Sequence, residues 1–489
     1  MYLHELLEDL KIYNTANIPT NLLVDNIEMD SRKVSKNSLF VCIKGFNSDG
    51  HDFIGESEEH GACAIIAERQ IESSLPVIYV PNTVKALALL ANRFYGNPSQ
   101  HLNIIGITGT NGKTTMTYLL DGIFKEYGHQ TAVIGTIDMK IGNQTFPISN
   151  TTPDSLFLHK HLNLMLKQNI DTVFMEVSSH ALHLGRVYGI QFNTVVFTNL
   201  TQDHLDYHLN MNDYAYAKSL LFSQLGNDYN QQKVAVINID DRYAEVMERA
   251  TSFPIIPYGL SDEAFIKAKN LELGAKYSSF EVVTPQNTFS IKSNMAGKFN
   301  VYNMLAAIAV AYHYRIPIEV VKKSLQLSKG VPGRLEYVDV GQTFPVIVDY
   351  AHTPDSLENV LESLNEIKKG KILTVVGCGG DRDRSKRPKM ANVSMKYSDF
   401  SYFTSDNPRS EKPQAILKDM TGHLNDKRFK VITDRKQAIK HAIMSASKDD
   451  IVLIAGKGHE TYQEIEGKRY HFDDREIAKA FLEDRIRET

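Results

Sequence analysis

One stretch constrains this chain more than any other: Gly106-Ile107-Thr108-Gly109-Thr110-Asn111-Gly112-Lys113-Thr114-Thr115. It begins in an apolar run, Leu102 to Thr108, that reads as a strand. It leads into Met116, Leu119, Leu120, Ile123, Phe124 and Tyr127, spaced for one face of a helix. Gly128 stands where a C-cap glycine belongs. Strand, glycine turn and helix form the context of a phosphate-binding loop. Glycines let backbone N–H groups converge on phosphate oxygens, and the helix start adds positive potential. Lys113 is expected to bridge the β- and γ-phosphates, and the hydroxyl of Thr114 or Thr115 to reach Mg²⁺. The common spacing would place glycine at position 107, which is Ile107, so the first glycine is displaced to Gly106 or Gly109. ATP is the expected nucleotide.

A second pattern surrounds the loop. Thr172 to Val177, Thr194 to Thr198 and Val234 to Ile239 are further apolar runs, with helical stretches between them. This is an alternating α/β unit with a mainly parallel sheet. A small α/β unit precedes it, with runs at Ser38 to Ile43, Ala62 to Ala67 and Val77 to Val80 and a helix over Thr83 to Tyr95. The turn cluster Gly96-Asn97-Pro98-Ser99 separates the two. A Rossmann-like unit starts near 335, with runs at Pro345 to Asp349, Ile372 to Gly377, Phe400 to Thr404 and Ile451 to Ala455. The fold class is therefore α/β with three domains: 1–100, 101–334 and 335–489. A length of 489 residues agrees with three domains of roughly 150 residues each.

Many of the runs lead into polar residues: Glu176, Asn199, Asp349, Asp381, Asp406 and Lys457. Open parallel sheets bind ligands outside the carboxyl ends of their strands. Glu176 takes the place of the usual metal-side aspartate. Asp203, His204 and Asp206 could also hold a cation, although Mg²⁺ prefers oxygen ligands.

Composition excludes other classes. Lys+Arg total 54 against 58 Asp+Glu, so there is no basic excess of the kind nucleic-acid binders show. Three scattered cysteines, Cys42, Cys63 and Cys378, make neither a zinc site nor a disulfide framework. No secretory signal or membrane-spanning run is apparent, so a cytoplasmic location without membrane insertion is expected.

The motifs together resemble the Mur ligase family. The resemblance rests on the phosphate loop, Glu176-Val177-Ser178-Ser179-His180, Asn199-Leu200-Thr201-Gln202-Asp203-His204-Leu205-Asp206 and Asp349-Tyr350-Ala351-His352-Thr353-Pro354-Asp355. Asp30-Ser31-Arg32 and Gly333-Arg334-Leu335-Glu336 add to it, so it spans essentially the whole chain. Within the family the chain is similar to the ligases that add the third residue of the peptidoglycan stem peptide. Asp406-Asn407-Pro408-Arg409 resembles the signature of the diaminopimelate-adding form rather than the lysine-adding one. Diaminopimelate carries a second carboxylate, which Arg409 can grip with a bidentate fork.

The resemblance implies one substrate for each domain and an enzyme acting as a monomer. ATP would meet Gly109, Thr110, Asn111, Gly112, Lys113, Thr114, Thr115, Asn303, Arg334 and Asp349. UDP-N-acetylmuramoyl-L-Ala-D-Glu would meet Ser31, Asn47, Thr151, Thr152, Ser179 and Arg186. Meso-diaminopimelate would meet Arg387, Asp406, Asn407, Arg409, Gly456 and Glu460. Mg²⁺ would lie near Thr114, Glu176, His204 and a carbamylated Lys218. Lys113, Glu176, His204 and Lys218 are thus the implied catalytic set. The implied reaction is ATP-dependent amide formation through an acyl phosphate, with His204, His352 or an acid assisting loss of the amine proton. Alternatives are a lysine-adding ligase, a ligase for another substrate such as a folylpolyglutamate synthetase, and a P-loop ATPase working as a motor or switch.

Overall fold

The computed structural model describes residues 1–488 except 16–18, 20, 46–47, 149, 206, 230–231, 275–276 and 329. Among the described residues, three large sheets organise the chain. The first has five strands between Asn14 and Tyr79, parallel except for the edge pair that Asn14–Thr15 makes with Val77–Tyr79. The second has eleven strands between Asn103 and Ser293, and the third has six between Glu336 and Ala455. The apolar runs read from the sequence coincide with strands to within a residue or two, among them Ala62–Ala67, Asn103–Thr108, Thr172–Glu176 and Ile451–Ala455.

The middle of the large sheet is parallel, as continuous apolar strands buried on both faces require. Its margins differ from the expectation. Met139–Ile141 and Gln144–Phe146 add antiparallel strands at one edge, and Ser278–Val283 and Thr288–Ser293 do so at the other. Ser278–Val283 alternates between buried and half-buried side chains, and Thr288–Ser293 ends in a similar alternation, because only one face is covered there.

Strand order sets up the site. Asn103–Thr108 lies between Thr194–Phe197 and Thr172–Glu176, all parallel. The phosphate loop therefore leaves the sheet with the ends of those two strands on either side. The following helix, Lys113–Tyr127, buries Met116, Leu119, Leu120, Ile123 and Phe124 against the sheet. Burying each large side chain contributes roughly 1.5–3 kcal/mol. Tyr127, expected on the same face, is 43% exposed and stacks on the His129 ring instead, because the apolar face ends before the last turn. Gly128 closes the helix in the left-handed region at φ 102°.

Candidate functional site

A cleft of about 580 Å³ opens where the strand ends of the second and third sheets face each other. Lys113, Thr114, Glu176, Asn303, Arg334 and Asp349 all line it. The neighbouring strand end fixes the phosphate loop: Thr110 N donates to Asn199 O (2.8 Å), Asn111 N donates to Asn199 Oδ1 (2.9 Å), and Thr198 Oγ1 donates to Asn111 O (2.6 Å). A Cβ at Gly109 would strike Thr198 Oγ1, and one at Gly112 would strike Asn303 Oδ1. Glycine avoids both contacts without moving a neighbour, and Gly112 also has a φ of 86°.

Lys113 Nζ donates to Gly109 O and Thr110 O, both at 2.8 Å, which holds its ammonium over the loop. Burial lowers its pKa, with Glu176 opposing that shift and Arg334 adding to it. Glu176 is fully buried and accepts from Thr136 N (2.8 Å) and Thr136 Oγ1 (2.9 Å). Lys218 is 1% exposed, donates to Gly109 O at 2.8 Å and sits 4.5 Å from the Tyr214 ring centre. Burial and then the charge of Lys113 push its pKa well below 10.5. His204 has a φ of 54°, and burial lowers its pKa to about 4, with nearby Asp203 opposing. Its imidazole is therefore neutral at physiological pH and can act as a ligand.

Among the described residues, no three His, Cys, Asp or Glu side chains are grouped to hold a metal alone. Asp206, expected as one such ligand, lies outside the described residues. The donors present still suit Mg²⁺. This ion is usually bound by one or two carboxylates together with substrate phosphates. Glu176 and Thr114 supply a carboxylate and a hydroxyl beside the phosphate loop.

The third sheet closes the cleft. Asp355 Oδ2 accepts from Asn111 Nδ2 (3.0 Å) and Thr201 Oγ1 (2.5 Å), and Lys386 Nζ lies 3.5 Å from Asp203. Arg334 stacks over Tyr350 at 4.6 Å. Asp349 is buried, which raises its pKa against the pull of Arg334. Its two oxygens accept from Leu335 N and Ala351 N, both at 2.7 Å. Asp349 therefore holds the chain on either side of itself as well as facing the cleft.

The residues expected at the muramoyl-dipeptide divide into two places. Thr151 lines the cleft, its hydroxyl 3.1 Å from that of Thr136. Thr152 Oγ1 donates to Glu176 O (2.8 Å) and accepts from Ser178 N (3.0 Å), and Arg186 Nη1 donates to Thr152 O (3.0 Å). The Ser179 hydroxyl meets His208 Nε2 at 3.0 Å, an imidazole that the motif alone did not single out. Ser31 belongs to the first domain, where its hydroxyl donates to Glu56 Oε2 at 2.6 Å. Asn47 lies outside the described residues.

The residues expected at the amino acid gather at the strand ends of the third sheet, with one exception. Asp406 Oδ1 accepts from Asn407 N at 2.7 Å, and Asn407 Nδ2 donates to Glu460 Oε2 at 2.9 Å. Arg409 is aimed by Nη1 donating to Gly380 O (2.7 Å) and by Glu464, 3.6 Å from Nε. Gly456 has a φ of 119°, and a Cβ there would come 2.7 Å from Asp406 Oδ2. The exception is Arg387. It is 1% exposed, and its guanidinium binds Glu411 (2.7 Å) and Asp419 (2.8 Å), so it braces the loop rather than offering an open cation. Sequence reasoning also missed the hairpin of Tyr462–Ile465 and Lys468–His471, which is laid over this site through Arg409 N to Glu464 O (3.0 Å).

Comparison with known proteins adds an independent line. Residues 23–95 match the family model described as Mur ligase family, catalytic domain. Residues 107–311 match the Mur ligase middle domain, and 333–458 the Mur ligase, glutamate ligase domain. A Bacillus cereus protein named UDP-N-acetylmuramoyl-L-alanyl-D-glutamate–2,6-diaminopimelate ligase is 51% identical over 465 residues, covering 95% of each chain. An Oceanobacillus iheyensis protein of the same name is 51% identical over 485 residues, covering 98% of each. A solved structure bearing that name superimposes with a TM-score of 0.72 at 32% identity, covering 99% of this chain and 100% of the other.

Proposed function

Because the chain belongs to the Mur ligase family, as near-full-length relatives at 51% identity show, we propose that it joins meso-diaminopimelate to UDP-N-acetylmuramoyl-L-Ala-D-Glu at the expense of ATP. The observation that carries this reading is the cleft between the second and third sheets. It sets the phosphate loop, with Lys113, opposite Arg334, Asp349 and Tyr350 of the third sheet's side, and Asn407, Arg409 and Glu460 lie at further strand ends of that same sheet. The names of these relatives agree with it. Residues 1–100 would take the UDP end, 101–334 ATP and 335–489 the amino acid. The setting is cytoplasmic peptidoglycan precursor synthesis by a monomer. No described helix is long and apolar enough to cross a membrane.

The reaction balances in two steps. An oxygen of the D-glutamyl γ-carboxylate attacks the γ-phosphorus of ATP, giving an acyl phosphate and ADP. The neutral amine then attacks the acyl carbon, gives up one proton to a neighbouring base or to water, and phosphate leaves with the oxygen it captured. Lys113 stabilises charge on the transferring group from a half-buried position, where each electrostatic contact counts for more than in water. Mg²⁺, held by Glu176 and Thr114 with His204 and a carbamylated Lys218 nearby, would neutralise phosphate charge when bound. Positioning three substrates supplies much of the acceleration, so no side-chain nucleophile is needed.

Arg409 favours diaminopimelate over lysine, because only the former carries a second carboxylate for that guanidinium. The test is turnover of the purified protein with ATP, the UDP-muramoyl-dipeptide and each amino acid in turn. Product with diaminopimelate is expected. Product with lysine alone would refute the assignment. ATP turnover that needs no acceptor would point to a motor or switch instead.

A further inference from the structure

Lys457 is fully buried at the strand end after Ile451–Ala455, beside the residues proposed to meet the amino acid. Its ammonium donates to Asn407 Oδ1 (3.0 Å) and Glu460 Oε2 (3.0 Å). Asn407 Nδ2 closes the triangle on the same Glu460 oxygen at 2.9 Å. Asn407 Oδ1 also accepts from Glu464 N of the overlying hairpin at 3.0 Å.

Two consequences follow from donor and acceptor chemistry alone. An Asn amide is nearly symmetric in shape, so its partners decide which way it points. Two donors, Lys457 Nζ and Glu464 N–H, require Oδ1 on their side and turn Nδ2 toward Glu460. Both bonds to Glu460 fall on Oε2, so Oε1 is the oxygen left for a ligand's ammonium. The backbone around Lys457 is equally fixed. A Cβ on Gly456 would crowd Asp406 Oδ2, and one on Gly458 would come 2.6 Å from both Gly333 O and Tyr350 Cβ. The lysine therefore projects from a loop that cannot shift to replace it.

We propose that Lys457 is a positioning residue for the amino-acid acceptor, orienting Asn407 and Glu460 without itself touching the reacting atoms. The assignment rests on the ligase reading above and extends it to a residue with no role there. It predicts a divided phenotype, because acyl phosphate formation precedes acceptor attack.

The test is Lys457→Met, a substitution of similar length without donors. Two readouts are compared. One is exchange of label between ADP and ATP that depends on the UDP-muramoyl-dipeptide, without acceptor. The other is the KM for diaminopimelate in the full reaction. Exchange is expected to stay within about twofold of wild type while the acceptor KM rises about tenfold or more, the scale of one lost charge-assisted hydrogen bond. Adding Lys457→Met to Glu460→Gln should then change the acceptor KM little further. An unchanged acceptor KM, or exchange that falls in parallel with it, would overturn the proposal. So would full additivity of the two substitutions. If the methionine variant does not fold, Lys457→Gln, which loses the charge and the reach to Asn407 and Glu460, carries the comparison with a smaller expected rise in acceptor KM, and an unchanged KM there would likewise overturn the proposal. Absence of exchange in the wild type would overturn the ligase reading itself.

Discussion

Lys218→Met separates a buried neutral amine from a charged structural lysine. In the wild type the side chain is enclosed, close to Lys113, with its pKa driven far below 10.5. Between that lowered value and 10.5 the unfolded chain holds a proton that the folded chain does not. Stability attributable to Lys218 therefore rises with pH through this window, by up to about 1.4 kcal/mol per pH unit. Below it, and at neutral pH, the lysine costs stability. Methionine removes that cost and fills nearly the same volume. The loss is one hydrogen bond to Gly109 O, about 1 kcal/mol, and that carbonyl keeps its bond from Lys113 Nζ at 2.8 Å. In carbonate-free buffer the variant should be as stable as the wild type at neutral pH or more so, and its advantage should shrink as pH approaches 10.5. Urea denaturation of both proteins across this range measures the difference. Ligase activity should fall at least about a hundredfold, as loss of a preorganised group near transferring phosphate would require. Labelled bicarbonate should give a carbamate carbon signal in the wild type alone. A variant destabilised by more than about 2 kcal/mol at neutral pH, with a gap that does not change with pH, would refute the reasoning.

Gly112→Ala should raise the ATP KM about tenfold with the fold intact. The left-handed backbone costs about 1–2 kcal/mol per side chain, and the new methyl would displace Asn303; ATP titration of steady-state rates checks this. Arg409→Met should raise the diaminopimelate KM by about tenfold to a hundredfold, with ATP affinity unchanged, since the guanidinium is held apart from the phosphate loop by Gly380 and Glu464. His204, lowered to about 4, takes up its proton in the unfolded chain first, so its contribution to stability is lost as pH falls from 6.5 toward 4. His204→Gln should flatten that part of the denaturation profile, while a profile unchanged by the substitution would contradict the lowered value.

Much of this was legible because the chemistry is local. The phosphate loop, its strand and its helix are consecutive in the chain, and the apolar strands of a parallel sheet announce themselves as continuous runs. Glu176 and Asn199 were readable as strand-end polar residues, and strand order then explains why they flank the loop. Tertiary pairing was not legible. Arg387 looks like an open guanidinium in the sequence, and only the fold brings Glu411 and Asp419 to it. The partnership of Ser179 with His208 spans 29 positions, so no local motif could announce it. Lys457 lies in a readable motif, yet its role depends on Asn407, fifty residues away. The antiparallel margins of the large sheet were missed because short, half-exposed strands such as Thr288–Ser293 lack a continuous apolar run.

The central claim is that the cleft uses ATP to activate a substrate carboxylate for attack by an amine. Heavy oxygen placed in the D-glutamyl γ-carboxylate tests it most directly. The account predicts that each turnover with diaminopimelate transfers one labelled oxygen to the phosphate released. Phosphate free of label, formed at the same rate as product, would contradict it.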